Sequence, residues 1–571
     1  MKFLNPRNAV SYFSPAILLV IVPLSFIAAP AAPQNSKLPH FNDSAEPSLL
    51  AERIVGAMSD REVLGQILMF GYPGERPDNN ILRWISKEGL GGVKIFGWNA
   101  TNLSILAHTV GTYQKLAVSS RFGVPLLVAT DQEGGWVRHI KGASSITPGN
   151  MALGASRLPL DAWKTGLLLG EELASVGVNM NFAPTVDLFV DPEADVIGPR
   201  AFMASPHWTG ILGLSFFRGH EQAGVISTAK HFPGHGDTRE DSHGTLPMVN
   251  ASIETLQSRD LIPYRTLIAA GIPAIMVGHL AFPNVTEIAT PATLSSVFLT
   301  DLLRAELGFK GVAITDDLFM YGARADGIPL TDVCFRSIEA GADILLVSHG
   351  PADHRSIHRR LLTGMKDSLF NSRVREAAVR VVAMKARYLK RSDSLPIIPD
   401  VNSMTLPAPG AKEFFLQQAA RSITVVKKGS IPIPSEKAGN VLLAGSYADF
   451  LSEGQKRYLG AQTWTLKYRA NTDDMERQGQ ELLRKARFFD TVIVLLPDKE
   501  TGILLNELES IAEKVVVISV LSPIHLSHVP WIRTSLAAYG TGIESFRAAF
   551  AALVGDYVPE GKLPIPLNLD P

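Results

Sequence analysis

From about residue 47 to 394, short apolar runs alternate with longer stretches in which apolar residues recur every three or four positions. The short runs read as strands: Gln66–Phe70, Gly92–Phe96, Pro125–Thr130, Asn179–Ala183, Val225–Lys230, Ala274–Gly278, Val312–Thr315 and Asp343–Val347. Between them the helical period fills Asn79–Glu88, Asn102–Ser119, Leu160–Val176, Trp208–Ala223, Glu254–Ala270 and Ser295–Leu307. Strands this apolar have no face for water, so they imply a parallel sheet covered by helices. Repeated strand–helix units of this kind predict a (β/α)8 barrel, closed by a basic helical stretch from Arg355 to Arg391.

Proline-rich sequence (Pro396, Pro399, Pro407, Pro409) marks a boundary, read as a linker over 395–412. The alternation resumes over 413–571, with strands at Ser422–Val426, Val441–Ala444, Thr491–Leu496, Val515–Val520 and Ser535–Tyr539. That pattern fits a smaller α/β sandwich domain. At the other end, Lys2 and Arg7 precede the apolar run Ala16–Ala29, and Ala29-Pro30-Ala31 offers a cleavage site. This is the arrangement of a secretory signal peptide over 1–31, followed by a polar linker over 32–46. Pro23 interrupts the run, which is shorter than the roughly 20 residues that span a bilayer. Export to the periplasm or the exterior is therefore expected, with no stable membrane span after cleavage.

Composition narrows the function further. A net charge of −1 in 571 residues gives no electrostatic case for nucleic acid. The single cysteine, Cys334, excludes an intrachain disulfide and reads as a small buried residue. No feature of the sequence fixes the oligomeric state.

The chemistry gathers where the strands end. The third strand runs into Asp131-Gln132-Glu133, the fifth into Lys230-His231, the sixth into His279 and the seventh into Asp316-Asp317. In a barrel of this type the C-terminal ends of the strands carry the active site. After the fifth strand comes Lys230-His231-Phe232-Pro233-Gly234-His235-Gly236-Asp237-Thr238, then Asp241-Ser242-His243. Its proline and glycines forbid a regular helix, so these charged groups sit on a loop. Asp131 is suited to accept hydrogen bonds from a ligand's hydroxyl groups, and Lys230 and His231 to donate to them. A metal site built from His231, His235, Asp241 and His243 is disfavoured. The H-x3-H pair spans Pro-Gly instead of a helical face, and no H-E-x-x-H run occurs. No metal or cofactor is expected.

The string K-H-F-P-G-H-G-x-T followed by D-S-H resembles the β-N-acetylglucosaminidase branch of glycoside hydrolase family 3, in its two-domain form. The resemblance is strongest at the barrel loops and weakest from about 430 to 530. It implies a retaining exo-β-N-acetylglucosaminidase acting on a GlcNAc-containing glycan from peptidoglycan or chitin. The family pattern S/T-D-D-L-x-M places the nucleophile at Asp316, with Asp317 structural. The branch's D-x-H places the acid/base at His243, oriented by Asp241. An imidazole suits that role because it titrates near neutrality without strong desolvation. The I-G-x-R-x-F pattern makes Arg200 a substrate-binding arginine, and His235 is expected to shape its loop through backbone hydrogen bonds. One departure stands out: where relatives read D-Q-E-G-G-R-V-x-R, this chain has Trp136 and His139 in place of the arginines. A β-glucosidase, β-xylosidase or phosphorylase of the same family, or a binding protein without turnover, are the rival readings.

Overall fold

The computed structural model describes residues 38–569, apart from 195, 287, 325–326, 349, 391–397, 403 and 468–470. The expected signal peptide and the first residues of the linker after it lie outside the described residues. Phe41, after the described start of the linker, lies against the barrel: it is buried and its N–H donates to the Phe122 carbonyl at 2.8 Å. Glu46 then caps the first helix, Pro47–Ala57, by accepting from the Ser48 and Leu49 N–H groups.

Eight parallel strands form the first sheet: β1 (Leu68–Phe70), β2 (Gly92–Lys94), β3 (Leu127–Thr130), β6 (Met180–Asn181), β7 (Ile226–Phe232), β8 (Ala274–Val277), β9 (Val312–Thr315) and β10 (Leu345–Val347). β1 pairs with β10, and a bridge from Ile314 to Ile344 closes the ring between β9 and β10. Alternate side chains fill the interior, among them Met69, Leu127, Met180, Phe182, Ile226, Met276 and Ile314. The intervening residues face the surrounding helices, which is why the runs are apolar throughout. Two short strands, β4 (Gln132–Gly134) and β5 (Val137–Arg138), form an antiparallel hairpin above β3.

The expected helix over Glu254–Ala270 is two helices, Ile253–Ser258 and Leu261–Ala269. Pro263 lacks the N–H that a continuous helix would need and fits the first turn of a new one. The break turns Arg259 toward the loop after β7, where its guanidinium bonds Asp237 at 2.8 Å.

The second sheet has the order β11 (Thr424–Lys427), β16 (Thr534–Tyr539), β15 (Val515–Val520), β14 (Thr491–Leu496), β12 (Val441–Gly445) and β13 (Gln462–Thr465). All pairs are parallel except β11 with β16. Helices bury both faces, one around Leu443, Ile493 and Phe550, the other around Val492, Val517 and Leu504. This is the expected smaller α/β sandwich.

The two sheets share an apolar seam. Ile197 and Ala201 of the barrel pack with Ile524, Ala537, Tyr539 and Ile565 of the sandwich. A buried-edge ion pair, Arg421 with Asp161 at 2.8 Å through both oxygens, ties the same surfaces. Among the described residues no helix is long and apolar enough to cross a membrane.

Candidate active site

A cleft of about 780 Å³ opens at the C-terminal ends of the barrel strands. It brings together Asp131, Arg200, Lys230, His231, Asp241, His243 and Asp316, every candidate site residue of the sequence. Each arrives for a local reason. β3, β7 and β9 are buried along their length, so the first polar residues past their apolar runs emerge at the cleft floor.

Asp131 is held by two lysines. Lys230 Nζ lies 2.5 Å from Oδ1, and Lys94 Nζ, from the end of β2, pairs with Oδ2. Burial alone would raise the Asp131 pKa, but Lys230 and Lys94 hold its carboxyl well below the usual range. Lys230 also reaches Glu133 at 2.6 Å, and Arg200 bonds Glu133 through Nε at 2.9 Å and Nη2 at 2.7 Å. Against the cost of burial, Arg200 and Lys230 bring Glu133 down to about 2.

His231 is fixed by a residue that the sequence reading passed over. Asp187, 1 % exposed, accepts from His231 Nδ1 at 2.7 Å and from the backbone N–H groups of His231 at 3.2 Å and His235 at 2.8 Å. With Nδ1–H committed to Asp187, Nε2 faces Arg200 Nη2 at 3.3 Å. His235 shapes the loop, but through its backbone N–H and not through its ring: its Nδ1 is buried without a partner, and burial drives its pKa down to about 4.

Asp316 ends β9. Burial works against its ionisation, while His231, His279, the Asp317 N–H and Lys230 outweigh it, so its carboxyl sits below the ordinary value. The Asp317 N–H donates to Asp316 Oδ1 at 2.8 Å and fixes the carboxylate's direction. Asp317 is structural: its Oδ1 accepts from the N–H groups of Phe319 and Ser348, each at 3.1 Å. His279 lies beneath, bonded to Thr293 and the Asp317 carbonyl.

The Asp241–His243 pair sits at the rim. His243 Nδ1 meets Asp241 Oδ1 at 2.7 Å, with His243 76 % exposed, so its other nitrogen is open to whatever fills the cleft. Hydrogen bonds from His243 lower the Asp241 pKa despite partial burial.

The hairpin departures resolve separately. His139 lines the cleft with Nε2 3.6 Å from Asp131 Oδ2. Trp136 turns away into a second cavity of about 430 Å³ between barrel and sandwich. Lys94 and Asp187 were missed in the sequence: Lys94 lies within the apolar run Gly92–Phe96, and Asp187 falls six residues past the end of β6.

Residues 59–384 match the family profile described as glycosyl hydrolase family 3 N terminal domain. The β-hexosaminidase A of Pseudoalteromonas piscicida is 35 % identical over 373 residues, 61 % of this chain and 61 % of its own length. The β-hexosaminidase of Tolumonas auensis is 38 % identical over 267 residues, covering 46 % of this chain and 77 % of that one. Among solved structures, a family 3 β-N-acetylglucosaminidase from Paenibacillus sp. str. FPU-7 superposes with a TM-score of 0.82 at 29 % identity, over 90 % of this chain and all of the other.

Proposed function

Because the chain belongs to glycoside hydrolase family 3, we propose that it is a retaining exo-β-N-acetylglucosaminidase. It removes terminal GlcNAc from peptidoglycan or chitin-derived fragments after export through its N-terminal apolar segment. The observation that carries this reading is the convergence on one cleft of Asp316, the His243–Asp241 pair and a charged floor suited to hydroxyls. The Paenibacillus relative, named a β-N-acetylglucosaminidase, supports the N-acetyl sugar, and the β-hexosaminidases support a hexosamine.

The reaction has two steps. In the first, Asp316 attacks the anomeric carbon as the glycosidic bond breaks, and protonated His243 gives its proton to the departing oxygen. In the second, neutral His243 takes a proton from water, the oxygen of that water bonds to the anomeric carbon, and Asp316 leaves as a carboxylate. Asp241 holds the ring through its Nδ1 and leaves the other nitrogen turned to the cleft. The depressed Asp316 pKa keeps the nucleophile ionised into mildly acidic solution. Asp131, Lys230, Arg200 and His231 bind the sugar hydroxyls.

The test is hydrolysis of aryl β-N-acetylglucosaminide beside aryl β-glucoside. Asp316→Ala is expected to abolish turnover. His243→Ala is expected to harm substrates with poor leaving groups far more than activated aryl glycosides. Equal losses on both would sink the proton-donor role, and activity on the glucoside alone would overturn the branch. Sugar-1-phosphate formed in phosphate buffer would make the enzyme a phosphorylase.

A further inference from the structure

We infer that Lys94 is a substrate-binding residue, which with Asp131 forms a hydroxyl clamp. The inference rests on the cleft being the sugar site proposed above.

Lys94 ends β2, lines the cleft and is 2 % exposed. Among the described residues Asp131 is the acceptor that takes a hydrogen bond from it. An ammonium has three N–H donors, so two are left over in a place where water scarcely reaches. The rings of Phe96 and Phe182, 5.0 and 4.8 Å from Nζ, offer their faces to the charge but no lone pair. Unspent donors on a buried charge are costly. A sugar hydroxyl in the cleft satisfies them, because its oxygen accepts from Lys94 while its proton goes to Asp131.

Charge leads to the same assignment. Lys94, Lys230 and Arg200 face Asp131 and Glu133, and Asp316 also acts on Lys94, so this lysine is coupled to both the clamp carboxylate and the proposed nucleophile. Lys230 divides its donors between Asp131 and Glu133. Lys94 alone stands on the Oδ2 side, where His139 approaches at 3.6 Å.

The experiment titrates GlcNAc and glucose into the full chain by calorimetry, beside steady-state kinetics on both aryl glycosides. Lys94→Met is expected to weaken binding of the preferred sugar and to raise KM at least tenfold, with kcat changed less. Lys94→Gln, which keeps two donors without the charge, should fall between, and carries the test if Lys94→Met does not fold. Adding His139→Arg to Lys94→Met should recover much of the lost affinity by bringing a guanidinium to Asp131 Oδ2. A purely structural lysine predicts a lower melting temperature with affinity and KM unchanged, and that result overturns the inference. A wild-type enzyme that prefers glucose overturns the N-acetyl reading alone, since the comparison of Lys94 variants is then made on glucose. Binding of neither sugar by the wild type overturns both.

Discussion

Three buried lysines show how one side chain takes its meaning from its neighbours. Lys94 and Lys230 each face at least one carboxylate. Lys385 faces none among the described residues: it is wholly buried under the barrel, and its Nζ donates to the Gln66 side chain at 2.8 Å. Burial pushes its pKa from 10.5 down to about 7. Between those two values the unfolded chain holds a proton that the folded one releases, so stability rises with pH across that window. Below pH 7 the folded protein carries a penalty on the order of 5 kcal/mol. Lys385→Met removes it, at the cost of about 1–3 kcal/mol for an unpaired Gln66 oxygen. We expect the variant to melt higher than wild type at pH 6.5, with the gap narrowing at pH 9.5. A lower melting temperature at pH 6.5 would mean that the ammonium is stabilised by more than Gln66.

At the scale of elements, the loop after β7 is held from two sides. Arg259 grips Asp237, and Gly236 packs so tightly that a Cβ there would run into the Leu188 carbonyl. Gly236→Ala should displace the loop that carries Asp241 and His243, lowering kcat/KM tenfold or more while destabilising the fold by only about 1–3 kcal/mol. Kinetics and urea melts on the same preparation separate the two effects. A variant with full activity would show that the loop tolerates displacement. The sequence made most such elements legible because buried strands must be apolar on both faces. All eight barrel strands stand where the apolar runs predict, within a few residues. β13 escaped because it is a polar, largely exposed edge strand, Gln-Thr-Trp-Thr. The hairpin of β4 and β5 escaped because its residues are charged and glycine-rich, and the divided helix because its period runs on through the break. Among site residues, motifs revealed those on the long loop and on β9. Asp187 and Lys94 lay hidden because a single charge in a loop or within an apolar run carries no motif, and only the fold shows what it touches.

At the scale of the molecule, the seam between barrel and sandwich decides how the chain behaves. Ile197 and Ala201, which pack into it, bracket the segment that presents Arg200 to Glu133. The sandwich therefore supports the wall of the cleft, and Arg421→Ala, which breaks the pair with Asp161, should loosen that support. Its expected signature is a higher KM with kcat little changed, and an unaltered KM would assign the pair to stability alone. Heat should reveal the same connection as shared melting. A seam of this apolar kind makes separation of the parts unfavourable, so scanning calorimetry should record one endotherm for both. If the proposed sugar binds beside Arg200, it should then shift that whole endotherm upward by mass action, protecting a sheet that does not line the cleft.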